Sequence, residues 1–186
     1  MVNLFVDNPV IELDRPIYDP AAVQPMRQQL TEVGFKELLT PEEVERAVAG
    51  AENSTGTMLL VINSVCGCAA GSARPGLALA LQNKLIPNRL TTVFAGMEKS
   101  ATARAREFLA PNPSSSPSFA LFKDGALVKM IHRREIEVRT ADQVADLLVE
   151  TFNQYCEAPG PSIPPEKFAS LDMALLCGST LPRFQN

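Results

Sequence analysis

The stretch Met58-Leu59-Leu60-Val61-Ile62-Asn63-Ser64-Val65-Cys66-Gly67-Cys68-Ala69-Ala70-Gly71 decides the fold. Residues 58–62 form a short, unbroken apolar run, which predicts a central strand buried on both faces. In the alanine-rich residues 69–82 that follow, Leu77 and Leu81 keep helical spacing, so the two cysteines fall where a strand hands over to a helix. Pro75 lies inside that helix; it removes a backbone hydrogen bond and predicts a bend.

Downstream, residues 90–95 read as a second strand and residues 101–109 as a helix that stops before Pro111. Strand, helix, strand, helix is the rhythm of an α/β core with parallel strands. After the loop Pro111-Asn112-Pro113-Ser114-Ser115-Ser116-Pro117, residues 118–122, the turn Lys123-Asp124-Gly125 and residues 126–131 read as a β-hairpin, with His132 continuing its second strand. Thr140-Ala141-Asp142-Gln143 carries the capping-box pattern ahead of Val144, Leu147, Leu148 and Phe152, the last helix of the core. Upstream, Thr40-Pro41-Glu42-Glu43 gives the same signal ahead of Val44, Ala47 and Val48, and Met26, Leu30 and Val33 share a helical face that Gly34 ends. Prolines at 9, 16 and 20 interrupt any periodicity near the N-terminus, so residues 1–19 read as an irregular arm. Pro159-Gly160-Pro161 and Pro164-Pro165 set off residues 157–186 as a proline-rich extension with one short docked helix over 171–176, leaving residues 20–156 as the core domain.

With 46% hydrophobic and 20% charged residues, the 186-residue chain has enough apolar material for a real core, which excludes wholesale disorder. Seventeen Lys and Arg against 21 Asp and Glu leave a net charge of −4 and no basic face, so nucleic acid is not an expected partner. No apolar run is long enough to span a bilayer, and the N-terminus lacks the basic and apolar regions of a signal peptide. These features favour a cytoplasmic, reducing setting with no membrane partner.

Four cysteines are far below the density of a disulfide scaffold, and Cys66 and Cys68 are too close together to staple distant parts of the chain. A thiol attacks only as its thiolate, and the first turn of a helix stabilises thiolate through free N–H groups and the positive end of the dipole. Cys66 is placed to receive that help, and Cys68, two residues on, could displace a partner held on Cys66. A disulfide across the single residue Gly67 closes a tight ring and should be easy to reduce. Two other readings stand beside this one: a pair of small buried side chains, or half of a metal site. For a metal the chain offers only His132, Cys156, Cys177 and carboxylates, none at recognisable ligand spacing, so no metal is expected.

Strand, C-x-C, helix, strand, helix, Pro117, hairpin and final helix, taken in order, resemble the thioredoxin arrangement. The resemblance implies a three-layer α/β sandwich with a central mixed sheet of four or five strands flanked by helices, and a cis-proline at Pro117 opposite the cysteines. A closer likeness is carried by Asn63-Ser64-Val65-Cys66-Gly67-Cys68-Ala69-Ala70-Gly71 with Ala73-Arg74-Pro75, by Val93-Phe94-Ala95-Gly96, by Ser115-Ser116-Pro117-Ser118, and by Arg133 with Glu135-Ile136-Glu137. These pieces resemble the bacilliredoxins, bacterial thioredoxin-fold proteins with a C-G-C site. The resemblance implies a thiol–disulfide oxidoreductase that reduces mixed disulfides between protein cysteines and the low-molecular-weight thiol bacillithiol. It needs no bound cofactor, bacillithiol being its co-substrate. Cys66 is then the attacking thiol and Cys68 the resolving one, with Gly67, Ser116, Pro117 and Arg74 supporting the site or contacting substrate. A guanidinium at Arg74, Arg133 or Arg134 could hold the carboxylates of bacillithiol's malate. The alternatives are a general protein disulfide reductase or isomerase independent of bacillithiol, and a non-catalytic metal-binding or redox-sensing adaptor. His132, Cys156 and Cys177 carry no expected role in the chemistry.

Overall fold

Strand β2 (Thr57–Asn63) is buried at every position, as its apolar run predicts. The computed structural model describes residues 15–51 and 55–171. On one side of β2 runs β4 (Arg89–Phe94), parallel to it; on the other runs β5 (Ser118–Lys123), antiparallel. The short β1 (Lys36–Glu37) extends the sheet in parallel beyond β4, and β6 (Ala126–Ile131) closes the hairpin with β5. The resulting order, β1-β4-β2-β5-β6, is the thioredoxin-like mixed sheet of an α/β protein.

The period-two alternation of β2 divides the interior in two. Leu59 and Val61 enter one core with Leu30, Leu77, Leu148 and Phe152, from the helices Pro20–Thr31, Arg74–Ala80 and Ala141–Tyr155. Met58, Leu60 and Ile62 enter the other with Val44, Val48, Ala101 and Ala105, from the helices Pro41–Ala49 and Lys99–Phe108. Helices therefore cover both faces, giving three layers. Full burial of one aliphatic side chain contributes about 1.5–3 kcal/mol, so each of these five strand residues adds a substantial increment to the cohesion of the sheet. A third cluster, Val23, Met26, Val65, Phe94 and Met97, sits at the end of the sheet where β2 runs out.

Local signals act where they stand in the sequence. Thr40 Oγ1 accepts the Glu43 N–H at 3.3 Å while the Glu43 carboxylate takes the N–H of Leu39 and Thr40, and Thr140 with Gln143 repeats the arrangement. Asp124 and Gly125 both take positive φ, 51° and 81°, the backbone that a two-residue hairpin turn requires.

Four readings need correction. The first helix, Pro20–Thr31, follows the arm directly, with Asp19 capping it through the Ala21 N–H at 2.9 Å and Pro20 in the first helical position, but it ends before Val33, which lies beyond it and stays buried. His132 is not in a strand: β6 ends at Ile131, and His132 precedes the short helix Arg133–Ile136 with its N–H held by the Glu135 carboxylate at 2.9 Å. The helix after the cysteines is not uniform. Residues Ala69–Ala73 form one π turn, in which the Arg74 N–H reaches back to the Ala69 carbonyl, and the α-helix resumes as Arg74–Ala80, ending before Gln82. Pro75, which offers no N–H and crowds the carbonyl four residues back, accounts for the widened turn.

The fourth concerns the proline-rich extension, which docks well before the helix expected to do so. Ala158–Pro159 (β7) pairs antiparallel with Leu85–Ile86 (β3) in a second small sheet, Ile163 is buried in the first core, and a short helix spans Pro165–Ala169. The helix expected over 171–176 lies, apart from Leu171, outside the described residues, as does the arm before Arg15. Among the described residues, no helix is long and apolar enough to cross a membrane.

The helices Arg74–Ala80 and Ala141–Tyr155 approach so closely at Gly76 that a Cβ there would lie 2.7 Å from Val144 Cγ1 and 2.9 Å from the Ala141 carbonyl oxygen. Because one of those atoms is backbone, rotamer change cannot relieve the contact. Gly76→Ala is expected to destabilise the fold by about 1–3 kcal/mol in chemical denaturation, even though alanine is the better helix former.

Candidate active site

β2 carries the chain inside the protein as far as Asn63; Ser64 and Val65 make the turn, and Val65 is pinned in the third hydrophobic cluster. The helix then begins. The Cys66 carbonyl accepts the N–H groups of Ala69 and Ala70 at 3.0 and 3.1 Å, which makes Cys66 the residue at its N-terminus. Gly67 follows as the exposed residue between the two thiols. Both sulfurs are partly exposed and lie 2.6 Å apart.

The two thiols are unlike. Burial opposes ionisation of Cys66, but donation from the Cys68 thiol, the Ser64 hydroxyl at 3.1 Å and the Ala69 N–H at 3.4 Å, with the charge of Arg133, outweighs it and sets its pKa below the ordinary thiol value. Cys68 moves the other way: burial, donation of its hydrogen bond to Cys66 and the negative charge there push it up to about 11, against the pull of Arg133. Among the described cysteines, Cys66 is therefore the one whose thiolate is favoured, while Cys68 and Cys156 are both shifted the other way.

The opposite wall comes from the start of β5. Register pairs Ser118 with Ile62, so the preceding loop lies beside the end of β2, and the Ser116–Pro117 peptide bond is cis. Pro117 is buried and Ser116 half-buried. Ser118 Oγ donates to the Ser115 carbonyl at 2.9 Å, and Ser115 Oγ accepts the Arg133 N–H at 3.4 Å, tying this loop to the short helix that carries Arg133. The Arg133 guanidinium donates to Glu137 at 2.8 Å and, with its side chain 48% exposed, acts electrostatically on both sulfurs.

Cys66, Gly67, Cys68 and the Ser116–Pro117 loop thus meet at one end of the sheet. Arg74 does not reach the surface. It is 0% exposed, so it cannot contact a substrate carboxylate, and its guanidinium donates instead to the Ser64 carbonyl at 2.9 Å. Cys156 is buried at the far end of β2, with its pKa raised by burial and partly offset by a hydrogen bond with Thr57 and the charge of Lys123. Cys177 lies outside the described residues. Among the described residues, no group of three or more His, Cys, Asp or Glu side chains is arranged to hold a metal ion. Sequence reasoning gave no role to Ser64, and the available signal was a hydroxyl two residues ahead of the first cysteine, where the strand ends.

A thioredoxin-like sheet that brings two thiols of unequal acidity to a helix N-terminus defines a thiol–disulfide oxidoreductase. Comparison with known proteins is more specific. The profile of the family described as Disulphide isomerase matches residues 18–156. A bacilliredoxin of Halalkalibacterium halodurans is 56% identical over 140 residues, covering 75% of this chain and 95% of that one. A bacilliredoxin of Salinibacter ruber is 49% identical over 166 residues, 89% of this chain and 95% of its own. A solved thioredoxin of Fasciola hepatica, 20% identical, covers 65% of this chain and 99% of that one with a TM-score of 0.45. The chain belongs to the bacilliredoxin family.

The unequal thiols have a direct kinetic signature. Alkylation by iodoacetamide is expected to rise through a midpoint below that of a free cysteine and to map first to Cys66, with Cys68 reacting only after it. Cys66→Ser should abolish the low-pH phase; a fast phase surviving that change would assign the acidic thiol elsewhere.

Proposed function

We propose that the protein reduces mixed disulfides between protein cysteines and bacillithiol, with Cys66 as the attacking thiol and Cys68 as the resolving one. The observation that carries this reading is the convergence of donors on one sulfur: the Ser64 hydroxyl and the Ala69 N–H both donate to Cys66 Sγ, which lies 2.6 Å from the Cys68 sulfur. The bacillithiol part follows from the family, whose members named above are bacilliredoxins.

In the first step the Cys66 thiolate attacks the bacillithiol sulfur. The mixed disulfide breaks, the protein thiolate leaves and takes up a proton, and bacillithiol is held on Cys66. Forming that bond removes the negative charge and the acceptor that held the Cys68 proton in place. Cys68 then ionises more readily, attacks Cys66 Sγ and expels bacillithiol as its thiolate, leaving a Cys66–Cys68 disulfide. Two electrons from an external thiol reductant in a reducing cytoplasm restore the starting pair. Gly67 allows the short ring to close, and the Ser116–Pro117 loop forms the surface against which the substrate disulfide lies.

With Arg74 buried, the guanidinium that meets the malate carboxylates of bacillithiol is Arg133, half-exposed beside both sulfurs. Arg133→Gln should raise KM for bacillithiol disulfide by about tenfold, the size expected for loss of one charged contact, and should change KM for an uncharged disulfide far less. Equal changes for the two would remove Arg133 from recognition.

The division of labour is tested by intact mass after mixing variants with a bacillithiolated protein. Cys68→Ala is expected to take up one bacillithiol and stop there, and Cys66→Ala to take up none. An unmodified Cys68→Ala beside an unchanged substrate would sink the first step, and a modified Cys66→Ala would reverse the two roles. Equal turnover of a glutathionylated substrate would favour a general disulfide reductase.

A further inference from the structure

Beneath the cysteine loop lies a buried polar network that the exchange steps leave unused. Arg74 has no exposed surface. Withdrawing a guanidinium from water is expensive, and an apolar side chain of similar volume would fill the space at lower cost, so its presence calls for a task an apolar residue cannot perform. Arg74 Nε donates to Gln29 Oε1 at 2.7 Å, and Nη1 donates to the Ser64 carbonyl at 2.9 Å and to Asn63 Oδ1 at 3.4 Å. Asn63 Oδ1 also accepts the Ser64 N–H at 2.8 Å, and the Asn63 carbonyl accepts the Ala95 N–H at 3.0 Å. Ser64 is therefore held at both its N–H and its carbonyl, and its hydroxyl is left to address the site. Ser64 Oγ accepts the Cys66 N–H at 3.4 Å and donates to Cys66 Sγ at 3.1 Å. Accepting that N–H turns the hydroxyl hydrogen toward the sulfur.

The π turn over Ala69–Ala73 places Arg74 within this network. One extra residue per turn rotates everything after it by about 100° around the helix axis, and Arg74 is the first residue beyond it.

We propose that Arg74 is a positioning residue for thiol–disulfide exchange: by clamping Ser64 from below, it aims the Ser64 hydroxyl at the Cys66 sulfur and so governs how much of Cys66 is nucleophilic at neutral pH. The proposal rests on Cys66 being the attacking thiol. Among the described residues, the titratable and charged groups that shift Cys66 are Cys68, from its own helix, and Arg133, from the short helix opposite, while the hydrogen bonds of Arg74 reach the site through Ser64 and Asn63.

The test is the pH dependence of Cys66 alkylation, mapped by mass spectrometry, in wild type, Arg74→Met, Ser64→Ala and the double variant, with thermal melting measured alongside. Arg74→Met should raise the midpoint by about one pH unit, tenfold less thiolate at a given pH below it. Ser64→Ala should raise it in the same sense, and the double variant no further than Ser64→Ala alone, because the clamp then holds no hydroxyl. A lowered Tm with an unmoved midpoint would make Arg74 a stabilising contact only, and fully additive shifts would show that it acts without Ser64; either result overturns the proposal. Should Arg74→Met fail to fold, Arg74→Lys keeps the charge and the stem but loses the fork, and an unmoved midpoint there overturns it equally. A wild type without fast Cys66 alkylation would instead refute the assignment of the attacking thiol, which separates the two failures.

Discussion

Strand β2 has no face open to solvent, so whatever it contributes to the chemistry must be delivered at its C-terminal end. Four consecutive residues make that delivery: Asn63 ends the ladder, Ser64 supplies a hydroxyl, Val65 anchors the turn in an apolar cluster, and Cys66 starts the helix. The same central position brings the opposite wall. An antiparallel neighbour in register with Ile62 has to begin beside Asn63, so the Ser116–Pro117 loop arrives where β2 releases the thiols. The position of the active site follows from which strand is buried.

Within that geometry, the two cysteines differ because the Ser64 hydroxyl and the Ala69 N–H both donate to the Cys66 sulfur. A donor to a charged acceptor contributes about 1.5–3 kcal/mol, enough for several such donors to overcome the desolvation of a half-buried sulfur. The group that gives its proton away bears the opposite consequence, and Cys68 becomes a weaker acid than a free thiol. Donors that favour the Cys66 thiolate have less to bind once that sulfur enters a disulfide. They therefore stabilise the reduced pair, the same physics that makes low-pKa dithiol proteins readily reduced.

How much of this was legible in the sequence depends on the range of the interaction responsible. The apolar run of β2, the capping boxes at Thr40 and Thr140 and the Asp124-Gly125 turn are local, and each forms at its expected place. So is the placement of Cys66 at a strand-to-helix junction. The two-residue strands β1, β3 and β7 are too short to carry a period and exist only because a neighbour offers a free edge. The burial of Arg74 is illegible for the same reason. A guanidinium in a sequence reads as solvated, and its burial depends on Gln29, 45 positions earlier, arriving from another helix. His132 failed at a boundary: one residue separates the end of a strand from the cap of a helix, and the Glu135 carboxylate that decides between them sits three positions on.

The docked segment after Cys156 changes what counts as the edge of this domain. Ile163 enters the same core as Leu77 and Leu81, the Ser162 N–H donates to the Leu81 carbonyl at 3.0 Å, and the Gly160 N–H donates to that of Lys84 at 2.9 Å. These contacts close over the C-terminal end of the helix whose N-terminal end holds the thiols. The helix that carries the thiols is thus held at both ends, at one by Val65, which precedes it and packs with Val23, Met26, Phe94 and Met97, and at the other by the proline-rich stretch. A boundary drawn by resemblance at residue 156 would leave that helix a lever with one of its two bearings removed.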